Sequence, residues 1–271
     1  MILETVIVHG SDFIEWLDAS GNAGGTVRRI APARLSIELT KAPRNLRIAH
    51  KPRATALLRT TDTPLPPAKE PARLPLVVSG EATPAQRVPP TQNPYLIEGI
   101  VRDPAGEFLP RRFSLNGGTA AGHQIRLFRS PLGSRYGSAG GVFGRLTFAD
   151  DAPAAWALVE LSVKPPLGAT QTYTAQADAH GEFILPLDRL PAVAVDAVVK
   201  SYPATLTVLA SATTDPNTPF DPDELVACDV ATGKDAGGQP EFAPSLSFTF
   251  TPGAISRVVS PEHSLLRLKS N

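Results

Sequence analysis

Two near-copies of one short stretch, DPAGEFLP at residues 103–110 and DAHGEFILP at residues 178–186, set the terms on which this chain can fold. In each, the aspartate is followed at a fixed distance by Gly-Glu-Phe, an apolar run and a proline. Aspartate accepts hydrogen bonds from the backbone amides that follow it, and glycine supplies the positive φ that a Cβ opposes. Each copy therefore predicts a tight turn feeding a short strand. Twenty-eight prolines and 21 glycines spread through 271 residues point the same way, to many short strands joined by turns rather than to long helices. A hydrophobic content of 42% separates the chain from disordered sequences, and its length suffices for one large or two modest domains.

Period-two patterning recurs almost everywhere. Leu35, Ile37 and Leu39 alternate with polar residues, Leu46 and Ile48 repeat the pattern, and Ala54, Ala56 and Leu58 continue it more weakly, which predicts a meander of short strands. Residues 64–94 are too rich in proline for a ladder or a helix and are expected to lie extended, as a strap or linker. The chain thus divides into a β-rich docking region (1–63), the strap (64–94), a β-hairpin region (95–140), a β-sandwich (141–255) and a C-terminal tail (256–271).

Formal charge is zero overall yet uneven. Arg28, Arg29, Arg34, Lys41, Arg44, Arg47, Lys51, Arg53 and Arg59 face only Glu38 between residues 27 and 59, whereas carboxylates outnumber cations after residue 150. Such polarity suits subunits that dock basic face to acidic face. Nucleic acid is not expected, because no aromatic residue lies between Trp16 and Tyr95 to stack on bases. Cys228 is alone and makes no internal disulfide. Glu4 and Asp12 stand where a secretory leader carries Lys or Arg, and no apolar window reaches membrane-spanning length, so a cytoplasmic protein without membrane insertion is expected.

Residues that carry chemistry are sparse. His9, His50, His123, His180 and His263 lack ligand spacing, so zinc is not expected. Gly133-Ser134-Arg135-Tyr136-Gly137 places its serine wrongly for a nucleophile elbow, and the glycine-rich loop 131–144 lacks a phosphate-binding pattern. Asp150 and Asp151 are adjacent and read as a solvated turn. The acidic loop DPNTPFDPDEL, residues 215–225, has two readings. Asp215, Asn217, Asp221 and Asp223 are oxygen ligands of the kind calcium takes; alternatively Asp221 caps a short helix with Pro222 at its first position. No catalytic, cofactor-binding or metal residue is assigned, and the chain is read as a non-enzyme.

The stretches GRLTFADDAPAAWALVELSV (144–163) and TYTAQADAHGEFILPLDRLP (172–191) carry a family likeness, through Gly144, Leu146, Pro153, Ala157, Val159, Leu161, Asp178, Gly181 and Phe183. Their order resembles the carboxypeptidase regulatory-like domain, a transthyretin-like β-sandwich. The resemblance implies an all-β fold with the Asp178 turn as a hairpin and with Phe183 and Trp156 in one core. The Asp103 copy looks like the first hairpin of a second, partial unit. Such sandwiches occur as accessory modules, including those of phage tails and contractile injection particles, which assemble in the bacterial cytoplasm. The expectation is a structural subunit of such a virion, tail or particle, bound to other structural proteins and to copies of itself. The alternative is a carbohydrate- or surface-binding module that uses the 133–144 loop and Tyr136.

Overall fold

In a computed structural model the chain is described over residues 12–22, 27–44, 46–59, 94–119, 121–166, 168–191, 200–235 and 237–269. The expected strap lies outside these residues apart from Pro94. The fold is nearly all β, and regular helix among the described residues is limited to two three-residue 3-10 turns. The first half carries β1 (Asp12–Asp18), β2 (Gly21–Asn22), β3 (Arg28–Arg29), β4 (Ser36–Lys41), β5 (Leu46–His50), β6 (Thr55–Arg59), β7 (Tyr95–Arg102), β8 (Arg111–Gly117) and β9 (Gly122–Leu127). There follow β10 (Gly141–Phe148), β11 (Leu158–Val163), β12 (Gln171–Gln176), β13 (Glu182–Pro186), β14 (Tyr202–Ala210) and β15 (Val226–Cys228). The last are β16 (Val230–Lys234), β17 (Pro240–Ala243), β18 (Leu246–Phe250), β19 (Ile255–Arg257) and β20 (Leu266–Leu268).

These strands form two layered units. In the first, the sheet β3-β1-β6-β5, with β9 added parallel to β1, covers the three-stranded sheet β4-β7-β8. Ile14, Trp16 and Leu57 from one sheet meet Ile97, Val101 and Phe113 from the other in a single core. Trp16 is fully buried, stands edge-on to Phe113 at 5.8 Å, and donates its indole N–H to Thr55 Oγ1 at 2.9 Å. A buried indole N–H needs such an acceptor. That requirement bears on a correction to the sequence phase of Ala54, Ala56 and Leu58: Ala56 is buried, but the most deeply buried residues of β6 are Thr55 and Leu57. The expected meander is also interrupted, because β4 leaves its neighbours in sequence to pair with β7 in the opposite layer. The division drawn between residues 1–63 and 95–140 therefore cuts through one core.

In the second unit, β13-β10-β20-β16-β17 packs over β15-β14-β11-β12-β2. Regular alternation in β14 sends Tyr202, Ala204, Leu206, Val208 and Ala210 inward, where they join Val142, Leu146, Val159, Leu161, Phe183, Leu185 and Phe250. The segment 256–271, read as a tail, instead supplies β20, which lies between β10 and β16 and buries Leu266 and Leu268 completely. Trp156 is corrected too. Its backbone turns at φ +62 before β11 begins, and its ring packs with Leu109, Ala155, Ala179 and Phe220, outside the main core.

The two DxxGEF copies answer to one hydrogen-bond pattern. The Asp103 carboxylate accepts from the amides of Ala105, Glu107 and Phe108, and the Gly106 amide donates to the Asp103 carbonyl. The Asp178 carboxylate accepts from His180 and Glu182, with Gly181 donating to the Asp178 carbonyl. Gly106 and Gly181 sit at φ +71 and +77. The topologies differ. The first turn closes the β7–β8 hairpin, but the second carries the chain from β12 in one sheet to β13 in the other. Both edges of β12 are already taken, by β11 and β2, so the strand after the turn pairs with β10 instead. A third turn of this pattern, at Asp235, was not singled out in the sequence; there Gly237 and Gln239 donate to the carboxylate and Gly238 has φ +78.

Candidate functional site

The acidic loop lies at the seam between the two units. Asp221 caps the 3-10 turn Pro222–Glu224 and accepts from the Asp223 amide, as one of the two sequence readings has it. Its carboxylate, and that of Asp223, also face Arg111 of β8. Arg111 Nη2 lies 2.7 Å from Asp221 Oδ1 and reaches Asp223 as well, while Nη1 donates to the Arg126 carbonyl at 2.6 Å. Arg126 adds a contact to Asp223 at 3.1 Å, and Arg112 pairs with Glu224 at 2.6 Å. Three arginines of the first unit thus meet three acids of the second. Burial raises the Asp221 pKa against the pull of Arg111. For Asp223 burial acts in the same sense, but Arg111 and Arg126 outweigh it and the pKa falls. The oxygens offered to calcium by the other reading are engaged here by guanidinium groups, and Asp215 is turned to Asn217 and Thr218.

Arg111 was missed in the sequence although a signal existed. In RRFSLNG it occupies the same strand phase as Phe113 and Leu115, so a charge stands at an inward position. An inward arginine demands a buried acid.

Beside this seam runs a cleft of about 690 Å³ between the units. The first unit contributes Asp18, Arg28, Gln124, Arg126 and Arg129; the second contributes Arg135, Glu160, Thr172, Thr174, Asp188 and Arg189. Arg129 is fixed on Asp18 at 2.9 Å and over the Phe108 ring. The pairing of β2 with β12 and the bond from Thr174 Oγ1 to the Ala19 carbonyl tie the two walls together.

A third feature is the exposed edge of the first unit. The strand β5 pairs only with β6 among the described residues. Within the basic segment, Arg29, Arg34 and Lys41 are paired with Glu15, Glu107 and Glu98. Arg44, Arg47, Lys51 and Arg53, on and around β5, are exposed and make no ion pair among the described residues.

The remaining groups flagged in the sequence are held apart. Asp150 receives the Ala152 amide while Asp151 turns to Arg267. Ser134 is buried and donates to the Ser130 carbonyl. Tyr136 is half-buried against Gly141 rather than displayed, and burial raises its pKa. Cys228 is buried, and burial raises its thiol pKa. Among the described residues no three His, Cys, Asp or Glu side chains gather as a metal-binding group, and no helix is long and apolar enough to cross a membrane.

No family model and no curated protein matches the chain. Among solved structures, a leucine-rich repeat protein from Bacteroides thetaiotaomicron VPI-5482 is similar over 98% of this chain and 27% of its own, at 10% identity and a TM-score of 0.22. A likeness at that score carries no argument about fold or function.

Proposed function

We propose that this chain is a non-enzymatic structural subunit of a phage virion, tail or contractile injection particle. It is built on a transthyretin-like scaffold and docks on neighbouring subunits through its N-terminal unit. The observation that carries the reading is the β5 edge, which among the described residues pairs only with β6 and has four cations beside it that no described carboxylate neutralises. An open sheet edge is a template for another strand. Like charges oppose pairing of two β5 edges with each other, so the occupant is an acidic strand or face of a neighbour.

The test is co-sedimentation with the purified particle of the producing bacterium. The parent protein is expected to travel with the particle in fixed stoichiometry, and Arg44→Glu/Arg47→Glu is expected to dissociate at lower salt, since exposed charge pairs are screened. Absence of the chain from every sedimenting particle, or a charge-reversed variant that binds as tightly as the parent, would remove this reading.

A further inference from the structure

We infer that the cleft between the two units is a binding site for an acidic oligosaccharide, a ligand that bears carboxylates at intervals among many hydroxyls. The inference is independent of docking through β5.

The argument starts from charge. Of the arginines that line the cleft, Arg126 and Arg129 already have carboxylate partners, Asp223 and Asp18. Arg28 and Arg189 have no ion-pair partner among the described residues. Arg135 is held by the carbonyls of Leu132 and Ser134, which fix its guanidinium without neutralising it. Three guanidinium groups thus border one cavity without an ion pair among the described residues, and a planar fork of N–H donors matches a carboxylate in a bidentate way.

The same walls carry Glu160 and Asp188, which have no cation partner among the described residues. A ligand of dense, continuous negative charge would meet these two carboxylates as like charges. A ligand that spaces its anions with hydroxyl groups would not, because ionised carboxylates accept hydrogen bonds from hydroxyls while the arginines take the acid groups. Among the described residues no aromatic side chain lines the cavity, so flat bases find nothing there to stack on. A volume of about 690 Å³ accommodates a few sugar rings. The walls are also fixed in place by the Arg111–Asp221 pair and the β2–β12 ladder, which lowers the ordering cost of binding.

The test is calorimetric titration of the full chain with oligogalacturonate, its methyl-esterified form, a neutral malto-oligosaccharide and inorganic sulfate. Binding of oligogalacturonate alone is expected, weakened about tenfold or more by Arg28→Gln/Arg189→Gln. Glu160→Ala/Asp188→Ala, which removes the acceptors offered to hydroxyl groups, should weaken oligogalacturonate without creating affinity for the neutral oligomer. Thermal midpoints equal to the parent's show that substitutions at the exposed Arg28, Asp188 and Arg189 and the half-buried Glu160 leave the fold intact. Equal binding of the methyl ester would overturn the role of the arginines. Sulfate competing as well as the oligomer would reduce the site to a simple anion sink, and no binding of any probe would refute the proposal. Particle docking is measured separately, so either reading can fail alone.

Discussion

Arg111 Nη2 lies 2.7 Å from Asp221 Oδ1, with the two side chains 4% and 10% exposed, and this pair joins one β-unit to the other. An ion pair so enclosed has lost most of its hydration, and its value is in geometry more than in net stabilisation. With Arg112 on Glu224 and Arg126 on Asp223 beside it, the contact fixes how the two units meet and so shapes the cleft.

Removing one partner of this pair leaves the other charged and buried. Arg111→Met is expected to cost about 3–5 kcal/mol, and adding Asp221→Leu should recover a large part of that loss. Urea unfolding of the parent, the two single variants and the double variant measures the coupling directly. A double variant as unstable as the sum of the singles would show that the pair does not act as a unit.

The three Asp-turns predict a ranking. Gly106 and Gly238 have positive φ with open space where a Cβ would stand, so each Gly→Ala change meets backbone strain alone, about 1–2 kcal/mol. At Gly181 the added Cβ would also run into the Leu146 carbonyl oxygen, so Gly181→Ala should cost clearly more. Denaturant midpoints of the three variants check the order.

Phe183 and Trp156 belong to separate clusters, the second core and the small junction group around Leu109 and Phe220. Phe183→Ala is expected to cost about 3–5 kcal/mol. Combined with Trp156→Ala, the effects should add to within about 0.5 kcal/mol, as they do for sites without shared partners. A strong coupling in the double variant would return Trp156 to the main core.

Asp223 gives a pH signature. Its folded pKa is depressed below the ordinary 3.8, so the stability it contributes is complete above that value and lost as pH falls through the folded pKa. The gap in stability between the parent and Asp223→Asn should therefore be widest near neutrality and narrow as the pH drops below 3.8. Thermal melts across the acid range would show it; a gap that grew on acidification would reverse the assignment.

Local chemistry was legible in the sequence, and long-range partners were not. The Asp-x-x-Gly pattern predicts Gly181 at positive φ, and the Asp-Pro-Asp-Glu run predicts the Asp221 cap, because each depends on residues a few positions apart. Phe183, placed in a core by the resemblance of its turn to a known sandwich, is buried there in strand phase with Leu185. By contrast, β1 pairs in parallel with β9, from Phe13 on Gly122 to Asp18 on Leu127, and no local pattern announces a partner so distant. The same holds for the cleft, whose walls come from segments of both units. Trp156 misled because a tryptophan next to a strand reads as core, whereas its left-handed backbone turns it toward the other unit.

The central place of β20 has a consequence for how the molecule is made. Leu266 aligns beside Leu146 and Val230 beside Leu268, so until residues 266–268 have been synthesised β10 and β16 have no strand between them. During translation the second sheet would wait as two separate ribbons with apolar faces uncovered, a state open to wrong strand partners and a natural client for chaperones. Because loop closure across so much chain precedes any gain from this pairing, the second unit should fold late and slowly, at a rate set by topology rather than by stability.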